Sequence, residues 1–516
     1  MTRPVLRLGT RRSALARAQS GAVARRLEQL HPGLRVELVG IDTRGDRILD
    51  TPLSQVDGKE FFTAEIDAAL LAGSVDLTVH SFKDLALQRP AGLHLGAVPA
   101  RENPRDIVLF AADVRAQIAR GVPLRIGSSS PRRAAFVPAF LEQALPGGAR
   151  VQRVELRGNV DSRLRRLCEP RGSERQLDGV VLAFAGLSRL WQDPEGGGAM
   201  LRELLRDLPR MLLPLTVCPA APAQGALAIE CRTDDDDART LLRTIDDAAT
   251  RTAVAAERLL LAERGGGCHQ RFGATQRRVP GLGTLLYTRE DDAGSARSDL
   301  HWHAEVALGP AQQVTSSWDG SRRSVDATIE PLSVADQCAS RLATAPATFI
   351  AHRHALPALD STALQAARHV WVPGSDSWLA LAARGLWVEG CAEGLGFETL
   401  RAQLAEPLLQ LPALADWLVL THAEAAAGWR DGQVLATYQH AATPQADEAA
   451  IVGSIAAASH LYWHSGAQFE RWGRHAAPGA HHGCGFGRTA ERLRNAGIVR
   501  LTVFPSAREW RAWVGA

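Results

Sequence analysis

The chain has 516 residues, a length typical of three or four domains rather than one. Its hydrophobic content of 46% and charged content of 22% are ordinary for globular protein, and a net charge of +3 gives no reason to expect nucleic acid as a partner. No apolar run is long enough to cross a bilayer, and the N-terminal segment lacks the apolar core of a signal peptide, so we expect a cytoplasmic protein with no membrane partner.

The front of the chain alternates between strand and helix patterns. Strands are predicted for "VLRLGT", "LRVELVGIDT", "VDLTVH" and "LHLGAVPA", and helices for "SALARAQSGAVARRLEQL", capped by Ser13, and "FTAEIDAALLAG". This alternation predicts an α/β sheet. A weak repeat between "LRLGTRRSA" and "LRIGSSSPRRAA" suggests two similar lobes that face a cleft, although common residue types can also produce it by coincidence.

Arginine and hydroxyl side chains follow the predicted strands, where open α/β sheets bind their ligands. Ser130 fits an N-cap and Pro131 the first helical position, which leaves an anion site beside two guanidinium groups. Several guanidinium groups in one cleft predict a small ligand with many carboxylates, although any one arginine can instead be solvated or ion-paired. The side chains concerned are Arg11, Ser13, Ser129, Arg132, Arg133, Arg157, Arg163 and Arg189.

Lysine is almost absent from the chain. Of 59 basic residues only Lys59 and Lys83 are lysines, and both precede residue 90. Arginine cannot replace a compact ammonium group, so either the two lysines survive by chance or both work in a site. Lys83 stands beside Asp84 in "VHSFKDLA"; an acid next to an ammonium stays ionised and can exchange protons, whereas the simpler interpretation is a surface ion pair.

Ten motifs occur in one order: "TRRSALARAQ", "DTRGDRILDTPL", "GKEFFTAEI", "VHSFKDL", "RENPRD", "GSSSPRR", "LRGNVDSRL", "LAFAGLSRL", "AQGALAIECR" and "ERGGGC". Together they resemble hydroxymethylbilane synthase, also called porphobilinogen deaminase. The resemblance implies an α/β fold with two periplasmic-binding-protein-like lobes plus a small α+β third domain, followed by a C-terminal α/β domain. The implied boundaries are 1–107 plus 212–235 for lobe 1, 108–211 for lobe 2, 236–345 for domain 3 and 346–516 for the remainder.

The same resemblance implies a cofactor. Cys268, which follows three glycines, matches the cysteine that carries dipyrromethane through a thioether. The family adds four porphobilinogens to this primer, releases ammonia at each step and hydrolyses off the linear tetrapyrrole hydroxymethylbilane. The acetate and propionate groups of porphobilinogen would account for the arginines. The implied partner is this small molecule alone, and the implied state is a monomer.

Site residues follow by matching motifs. Asp84 and Lys83 match the catalytic residues. The matches that bind the cofactor are Cys268, Ser13, Lys83, Ser129, Arg132, Arg133, Arg157 and Asp84. The matches that bind substrate are Arg11, Arg157, Arg163, Arg189, Gln224, Lys59 and Phe62. The chain departs from the family pattern at Gln55, Glu60, Ala86, Ala223 and Arg271, which puts rate and chain-length control in doubt.

Composition changes near residue 345, because nine of the twelve tryptophans lie beyond residue 370. Strand-then-helix patterns in "ADWLVLTHAEAAAGW", "ASHLYWHSGAQFERW" and "GCGFGRTAERLRNAGI" resemble uroporphyrinogen-III synthase, which cyclises hydroxymethylbilane. About 170 residues is short for that two-lobed family, so an inactive relative or a docking module is an equal alternative. His481 and His482 lack convincing partner spacing, and we expect no metal site.

A function from another class also fits the front pattern. The chain could be a non-catalytic two-lobed binding protein for polycarboxylate ligands, because the implied lobes are shared with solute-binding proteins. The Lys83-Asp84 pair and the glycine-rich segment before Cys268 favour the enzyme.

Overall fold

The computed structural model describes residues 4–43, 63–194, 197–266, 270–292, 294–311, 313–320, 329–441 and 445–515. Five residues discussed above lie outside the described residues: Gln55, Lys59, Glu60, Phe62 and Cys268. The chain divides into two compact units, one made of residues 1–142, 149–277 and 286–300 and the other of residues 143–148, 278–285 and 301–516. Within the described ranges, no helix combines the length and apolar character needed to cross a membrane.

Strands and helices alternate along the front of the chain, as predicted. The strands are β1 (Val5–Arg11), β2 (Arg35–Ile41), β3 (Leu77–Ser81), β4 (Leu93–Ala97), β5 (Asp106–Phe110), β6 (Leu124–Gly127), β7 (Val151–Val154), β8 (Gly179–Ala183), β9 (Arg210–Leu212), β10 (Leu227–Arg232), β11 (Phe272–Val279), β12 (Gly283–Asp292) and β13 (Ser295–Ala304). The helices are α1 (Ala14–Leu30), α2 (Ala64–Leu71), α3 (Val114–Ala119), α4 (Pro131–Ala144), α5 (Val160–Arg165), α6 (Phe184–Gln192), α7 (Gly197–Leu205), α8 (Asp236–Leu242) and α9 (Ala248–Glu263).

Two five-stranded sheets share one plan. The first has the order β2-β1-β3-β10-β4, with β1 parallel to β2 and β3 and β10 antiparallel to its neighbours. The second has the order β7-β6-β8-β5-β9, with β6 parallel to β7 and β8 and β5 antiparallel to its neighbours. Strands β1 and β6, which carry the weak sequence repeat, hold equivalent places. The repeat therefore marks two sheets of the same topology.

The core of the first sheet fixes the strand ends where the predicted site lies. Leu8 of β1, Leu77 of β3 and Ile229 of β10 are fully buried, and Leu27 of α1 packs against them. Because β1 and β3 are parallel, the segments that follow them leave the sheet at the same edge. A three-stranded sheet, ordered β11-β12-β13, follows α9.

The rear of the chain has its own elements. The strands are β14 (Ser317–Trp318), β15 (Ile329–Pro331), β16 (Thr348–Ile350), β17 (Val370–Val372), β18 (Val388–Cys391), β19 (Leu418–His422), β20 (Gln433–His440), β21 (His460–Trp463), β22 (His481–Gly485) and β23 (Leu501–Phe504). The helices are α10 (Ala335–Thr344), α11 (Ser361–Ala366), α12 (Ser375–Ala382), α13 (Arg401–Leu404), α14 (Ala423–Ala426), α15 (Gln445–Ala457), α16 (Gly466–Trp472), α17 (Arg488–Asn495) and α18 (Ala507–Val514). Single 3-10 turns cover Phe82–Asp84, Arg243–Ile245, Arg353–Ala355, Phe397–Leu400, Pro407–Leu409, Leu414–Asp416 and Gly473–His475.

The rear unit contains two separate sheets. One has the order β15-β20-β19-β16-β17-β18, parallel except for β15, and the other is the parallel sheet β14-β21-β22-β23. The predicted boundary at residue 346 lies inside this unit, because β14 pairs with β21 and β15 pairs with β20. These short edge strands have no compositional signature. When these two strands are included, the rear unit contains two sheets, whereas a length of about 170 residues is short for a two-lobed architecture.

Candidate active site

The turn that carries Lys83 and Asp84 is anchored by its hydrophobic neighbour. Phe82 is buried in a cluster with Leu85, Val98 and Val254, so the 3-10 turn directly after β3 has a fixed position. Lys83 is half-buried, and Asp84 is exposed to solvent. The structure therefore presents one free-facing carboxylate beside one enclosed ammonium group, at the sheet edge where the sequence predicted them.

The predicted helix start at Pro131 is confirmed. Helix α4 begins at Pro131, and the Ser130 hydroxyl accepts a hydrogen bond from the backbone N–H of Arg133 at 3.4 Å. Ser130 N in turn donates to the hydroxyl of Ser128 at 3.3 Å. Ser129 is half-buried in the same turn. This capping places Arg132 and Arg133 in the first turn of α4, where both side chains are buried.

Arg132 and Arg133 bind a carboxylate of the chain itself. Asp106, at the start of β5, is fully buried; Arg132 Nη2 lies 2.6 Å from Oδ2, and Arg133 Nη2 lies 2.8 Å from Oδ1. Gln224 Nε2 donates to the same Oδ1 at 2.8 Å. Burial alone would raise the pKa of Asp106, but the two guanidinium groups and Gln224 hold that pKa well below its usual range. We call these four residues the Asp106 cluster.

Gln224 connects this cluster to Lys83. Its Oε1 accepts from Lys83 Nζ at 3.3 Å, and its Nε2 also donates to the carbonyl of Pro104 at 2.7 Å. Burial lowers the pKa of Lys83, Asp84 opposes that change, and Arg133 adds to it. The amide of Gln224 therefore fixes the ammonium group between an exposed and a buried carboxylate.

Two further arginines extend this group, because Arg163 interacts with the charge of Asp84 and Arg157 interacts with Arg163. Burial, together with the charges of Arg133 and Arg157, lowers the pKa of Arg163 to about 10, and the charge of Asp84 opposes this change. Arg163 Nε donates to the carbonyl of Gly158 at 2.7 Å. Arg157 is half-buried, and its Nε and Nη2 atoms are buried without a hydrogen-bond partner among the described residues. Lys83, Asp84, Arg157 and Arg163, which we call the Asp84 site, thus hold three cationic groups and one carboxylate.

The remaining predicted residues lie around this site or outside it. Arg189 Nη2 donates to the carbonyl of Gly225 at 2.6 Å, and burial lowers the pKa of Arg189 to about 10. Ser13 caps α1, where its hydroxyl accepts from Ala16 N at 3.3 Å, and Arg11 ends β1 half-buried. Lys59, Phe62 and Cys268 lie outside the described residues, so their roles stay predictions.

Helix α9 leads to the position of Cys268. It ends before Gly265 and Gly266, whose φ angles of 81° and 69° lie in the left-handed region that favours glycine. A Cβ at Gly266 would approach Leu87 Cδ1 to 2.8 Å. Gln270 Nε2 donates to the carbonyl of Arg264 at 3.0 Å, which joins the described residues on the two sides of residues 267–269.

Sequence reasoning missed three residues that hold the site together. Glu257 of α9 is fully buried, pairs with Arg101 through both oxygens at 2.5 and 2.9 Å, and accepts from Ala223 N at 2.7 Å. Its neighbour Arg258 donates to the carbonyls of Phe82, Leu85 and Ala86 at 2.8–3.1 Å. The available signal was the charged pair Glu257-Arg258 between the apolar segments of α9, and this signal is weak without the positions of the partners.

Comparison with known proteins identifies the family. Residues 6–240 match the family model described as porphobilinogen deaminase, dipyrromethane cofactor binding domain. Porphobilinogen deaminase of Syntrophobacter fumaroxidans is 41% identical over 291 residues, which cover 55% of this chain and 84% of the relative. The protein of the same name from Syntrophotalea carbinolica is 44% identical over 270 residues, covering 52% and 77%.

Likeness to a solved structure is weaker. The methionine binding protein MetQ is 11% identical over 49% of this chain and 94% of its own, with a TM-score of 0.27, which is too low to support an argument about the fold. Membership of the family rests on the family model and on the curated relatives. The cofactor of the matched domain is dipyrromethane, and the chain belongs to the porphobilinogen deaminase family.

Proposed function

We propose that the front unit is a hydroxymethylbilane synthase that works at the Asp84 site. The observation that carries the proposal is the excess of cations there: Lys83 and Arg163 interact with the charge of the exposed Asp84, Arg157 interacts with Arg163, and two donor atoms of Arg157 are buried without a partner among the described residues. Unpaired buried donors are costly unless a ligand completes them. Carboxylate groups are the ligands that guanidinium forks bind best.

Dipyrromethane fits these residues. Its acidic side chains would complete the donors of Arg157 and Arg163, and Cys268, after the glycines that end α9, is the proposed attachment point. When bound, the cofactor supplies the pyrrole carbon to which porphobilinogen is added. Arg132 supplies one further unpartnered donor, the buried Nε atom, although its other donors are used by Asp106 and the carbonyl of Pro219.

The chain's own groups divide the work at the site. Asp84 is exposed and can accept a pyrrole N–H and stabilise positive charge that develops on it. Lys83 keeps the charge balance beside Asp84, and its lowered pKa eases proton release toward a departing amine. The Asp106 cluster is too buried to exchange protons with substrate and serves to hold Lys83 through Gln224.

Intact mass spectrometry tests the attachment. The purified chain should be heavier than its polypeptide by one dipyrromethane and should react with Ehrlich's reagent, and Cys268→Ser should lose both properties. Cys168→Ser is the matched control because Cys168 is an exposed thiol. A wild-type mass equal to the bare polypeptide would refute the proposal and favour the alternative, a binding protein for polycarboxylates.

We infer a second activity, uroporphyrinogen-III synthase, for the rear unit. The supporting observation is its pair of mainly parallel sheets, in keeping with the two-lobed architecture that the sequence resemblance implies. The test supplies porphobilinogen to the full chain and resolves the product isomers after oxidation. Isomer III as the main product supports the inference. Isomer I alone, in a chain that turns over porphobilinogen, would leave the rear unit inactive.

A further inference from the structure

The carboxyl edge of the six-stranded rear sheet carries a cluster of metal-ligand side chains. His422 ends β19, Glu424 follows in α14, and His440 ends the neighbouring parallel strand β20. Glu424 Oε2 lies 2.8 Å from His422 Nδ1 and 3.3 Å from His440 Nδ1, and one ligand atom from each of the three residues lies within 4.8 Å of the other two. We call these residues the His422 cluster.

The backbone is shaped to bring the two histidines together. The register of β19 and β20 shifts between Thr421 and His422, so His422 pairs with Tyr438 while Thr421 pairs with Ala436. The extra residue, Thr437, is buried and donates to the carbonyl of Ala355 at 2.7 Å. Such a bulge re-aims the side chains that follow it, and bulges are enriched beside functional sites.

A backbone hydrogen bond also fixes the orientation of the Glu424 carboxylate. His440 N donates to Glu424 Oε1 at 3.1 Å, which leaves Oε2 directed at both imidazoles. Hydrogen bonding of the second carboxylate oxygen is the support that metal-binding carboxylates usually have. The ring of Tyr438 lies 5.6 Å from His422 and 5.9 Å from His440 and forms an aromatic wall at the cluster.

From this geometry we propose that His422, Glu424 and His440 form a zinc site with three protein ligands. Tetrahedral zinc with bonds of about 2.1 Å separates its ligand atoms by about 3.4 Å, close to the spacing of the cluster. Side-chain exposures of 17%, 37% and 20% leave a fourth position open to water or to a ligand carboxylate. The cluster therefore has the make-up of an open zinc site rather than a closed structural one.

A second group in the chain shows why this cluster differs. Asp67, His80 and Glu230 also lie close together, but all three are buried and Arg89 already supplies their cation. Arg89 Nη2 lies 2.6 Å from Asp67 Oδ1 and 2.8 Å from Glu230 Oε2. At the His422 cluster, Glu424 Oε2 contacts the two imidazoles, and among the described residues Glu424 forms no ion pair with an arginine.

A zinc site here differs from the expectation of no metal site, which rested on the spacing of His481 and His482. His482 Nδ1 accepts from Trp463 Nε1 at 3.0 Å, and His481 Nε2 lies 2.8 Å from Thr502 Oγ1. Adjacent histidines on a strand point to opposite faces, whereas His422 and His440 come together only through strand pairing. Their separation in sequence hid the cluster.

Metal titration of the full chain tests the proposal. The wild type, freed of metal by dialysis against a chelator, should bind zinc, and cobalt(II) should give the visible absorption of a low-symmetry site. The double variant His422→Gln with His440→Gln should lose one equivalent, and Glu424→Gln should weaken binding by about tenfold or more. The control is the double variant His301→Gln with His303→Gln, which alters two exposed histidines elsewhere. Equal stoichiometry in both double variants would overturn the proposal.

A footprint on the wild type keeps the test independent of folding in the variants. Zinc should protect His422 and His440 from diethylpyrocarbonate, measured by peptide mass spectrometry, while His301 and His303 remain reactive. Modification of His422 and His440 at the same rate with and without zinc would also overturn the proposal.

Discussion

The Asp106 cluster and the Asp84 site use the same residue types for opposite purposes. In the cluster, two guanidinium groups bind one fully buried carboxylate, and most of their donor atoms are used within the protein. At the Asp84 site, three cations accompany one exposed carboxylate, and two buried donors of Arg157 have no partner among the described residues. Arginines with similar sequence contexts therefore fall into two groups. Some bind a carboxylate of the chain and fix the structure of the site, and others keep donor atoms that a ligand can bind.

The largest change in stability should come from removing the buried carboxylate of the Asp106 cluster. Asp106→Asn leaves Arg132 and Arg133 buried without a counter-ion, so the free energy of unfolding should fall by about 3–5 kcal/mol. Urea unfolding followed by circular dichroism measures it. Asp84→Asn, the same chemical change at an exposed position, is the control and should change stability by about 0.5 kcal/mol or less. Equal losses in both variants would contradict the distinction.

Acid should reveal the same buried charge. The pKa of Asp106 is depressed in the folded chain, so its stabilisation is complete above its unfolded pKa of about 3.9 and is lost as the pH falls further. Between pH 6 and pH 3 the wild type should lose about 1.3 kcal/mol more stability than Asp106→Asn, because pH 3 lies only about one unit below the unfolded pKa. Unfolding free energies at both pH values measure this difference, and parallel pH curves for the two proteins would count against it.

At the Asp84 site, substitution should lower the rate of catalysis rather than the stability of the protein. Asp84→Asn should lower kcat by about a hundredfold or more, because the amide cannot stabilise developing positive charge. Single-turnover release of ammonia from porphobilinogen measures the effect. Asp207→Asn alters another exposed carboxylate and should keep normal turnover. Full activity in Asp84→Asn would remove that residue from the mechanism.

Substitution of Arg157 should distinguish a ligand-binding arginine from a structural one. Arg157→Met should raise KM for porphobilinogen about tenfold, equivalent to about 1.4 kcal/mol. Little stability should be lost, because two of its donor atoms have no partner among the described residues. Steady-state kinetics and urea unfolding separate the two readouts. Arg153→Met, at an exposed position on β7, is the matched control. A large loss of stability with unchanged KM would assign Arg157 to the structural group.

The smallest effect concerns a departure from the family pattern. Ala223 is buried with a φ of 65°, a conformation that glycine adopts without strain. Ala223→Gly should raise the free energy of unfolding by about 0.5 kcal/mol, since relief of strain exceeds the added chain entropy. Ala226→Gly, a buried neighbour without positive φ, should destabilise the protein. Destabilisation by both changes would show that the Cβ of Ala223 contributes more by packing than it costs in strain.

Local signals in the sequence predicted much of this arrangement. The Ser130 cap, the start of α4 at Pro131 and the turn that carries Lys83 depend on neighbouring residues, and the structure has them as expected. The partner of Arg132 and Arg133 could not be foreseen in the same way. Asp106 lies on another strand, in a motif that was recognised without a role, and only the pairing of β5 with β8 brings it near α4.

The same limit applies to the rear unit. Tryptophans mark its core, and Trp371, Trp378 and Trp417 are fully buried. The two edge strands before residue 346 have too few residues to show a period of two, so the composition shift placed the boundary too late. Likewise, His422 and His440 lie on different strands, and their proximity depends on a register that one sequence does not reveal.

Two consecutive residues of α9, Glu257 and Arg258, restrict rotation of this helix. Glu257 holds the backbone at Ala223, while Arg258 holds the carbonyls of the turn that contains Asp84. A rotation of this helix about its axis would disturb both attachments at once. On the proposed attachment of the product at Cys268, we therefore expect elongation to proceed without a rotation of α9, because such a rotation would break both sets of hydrogen bonds.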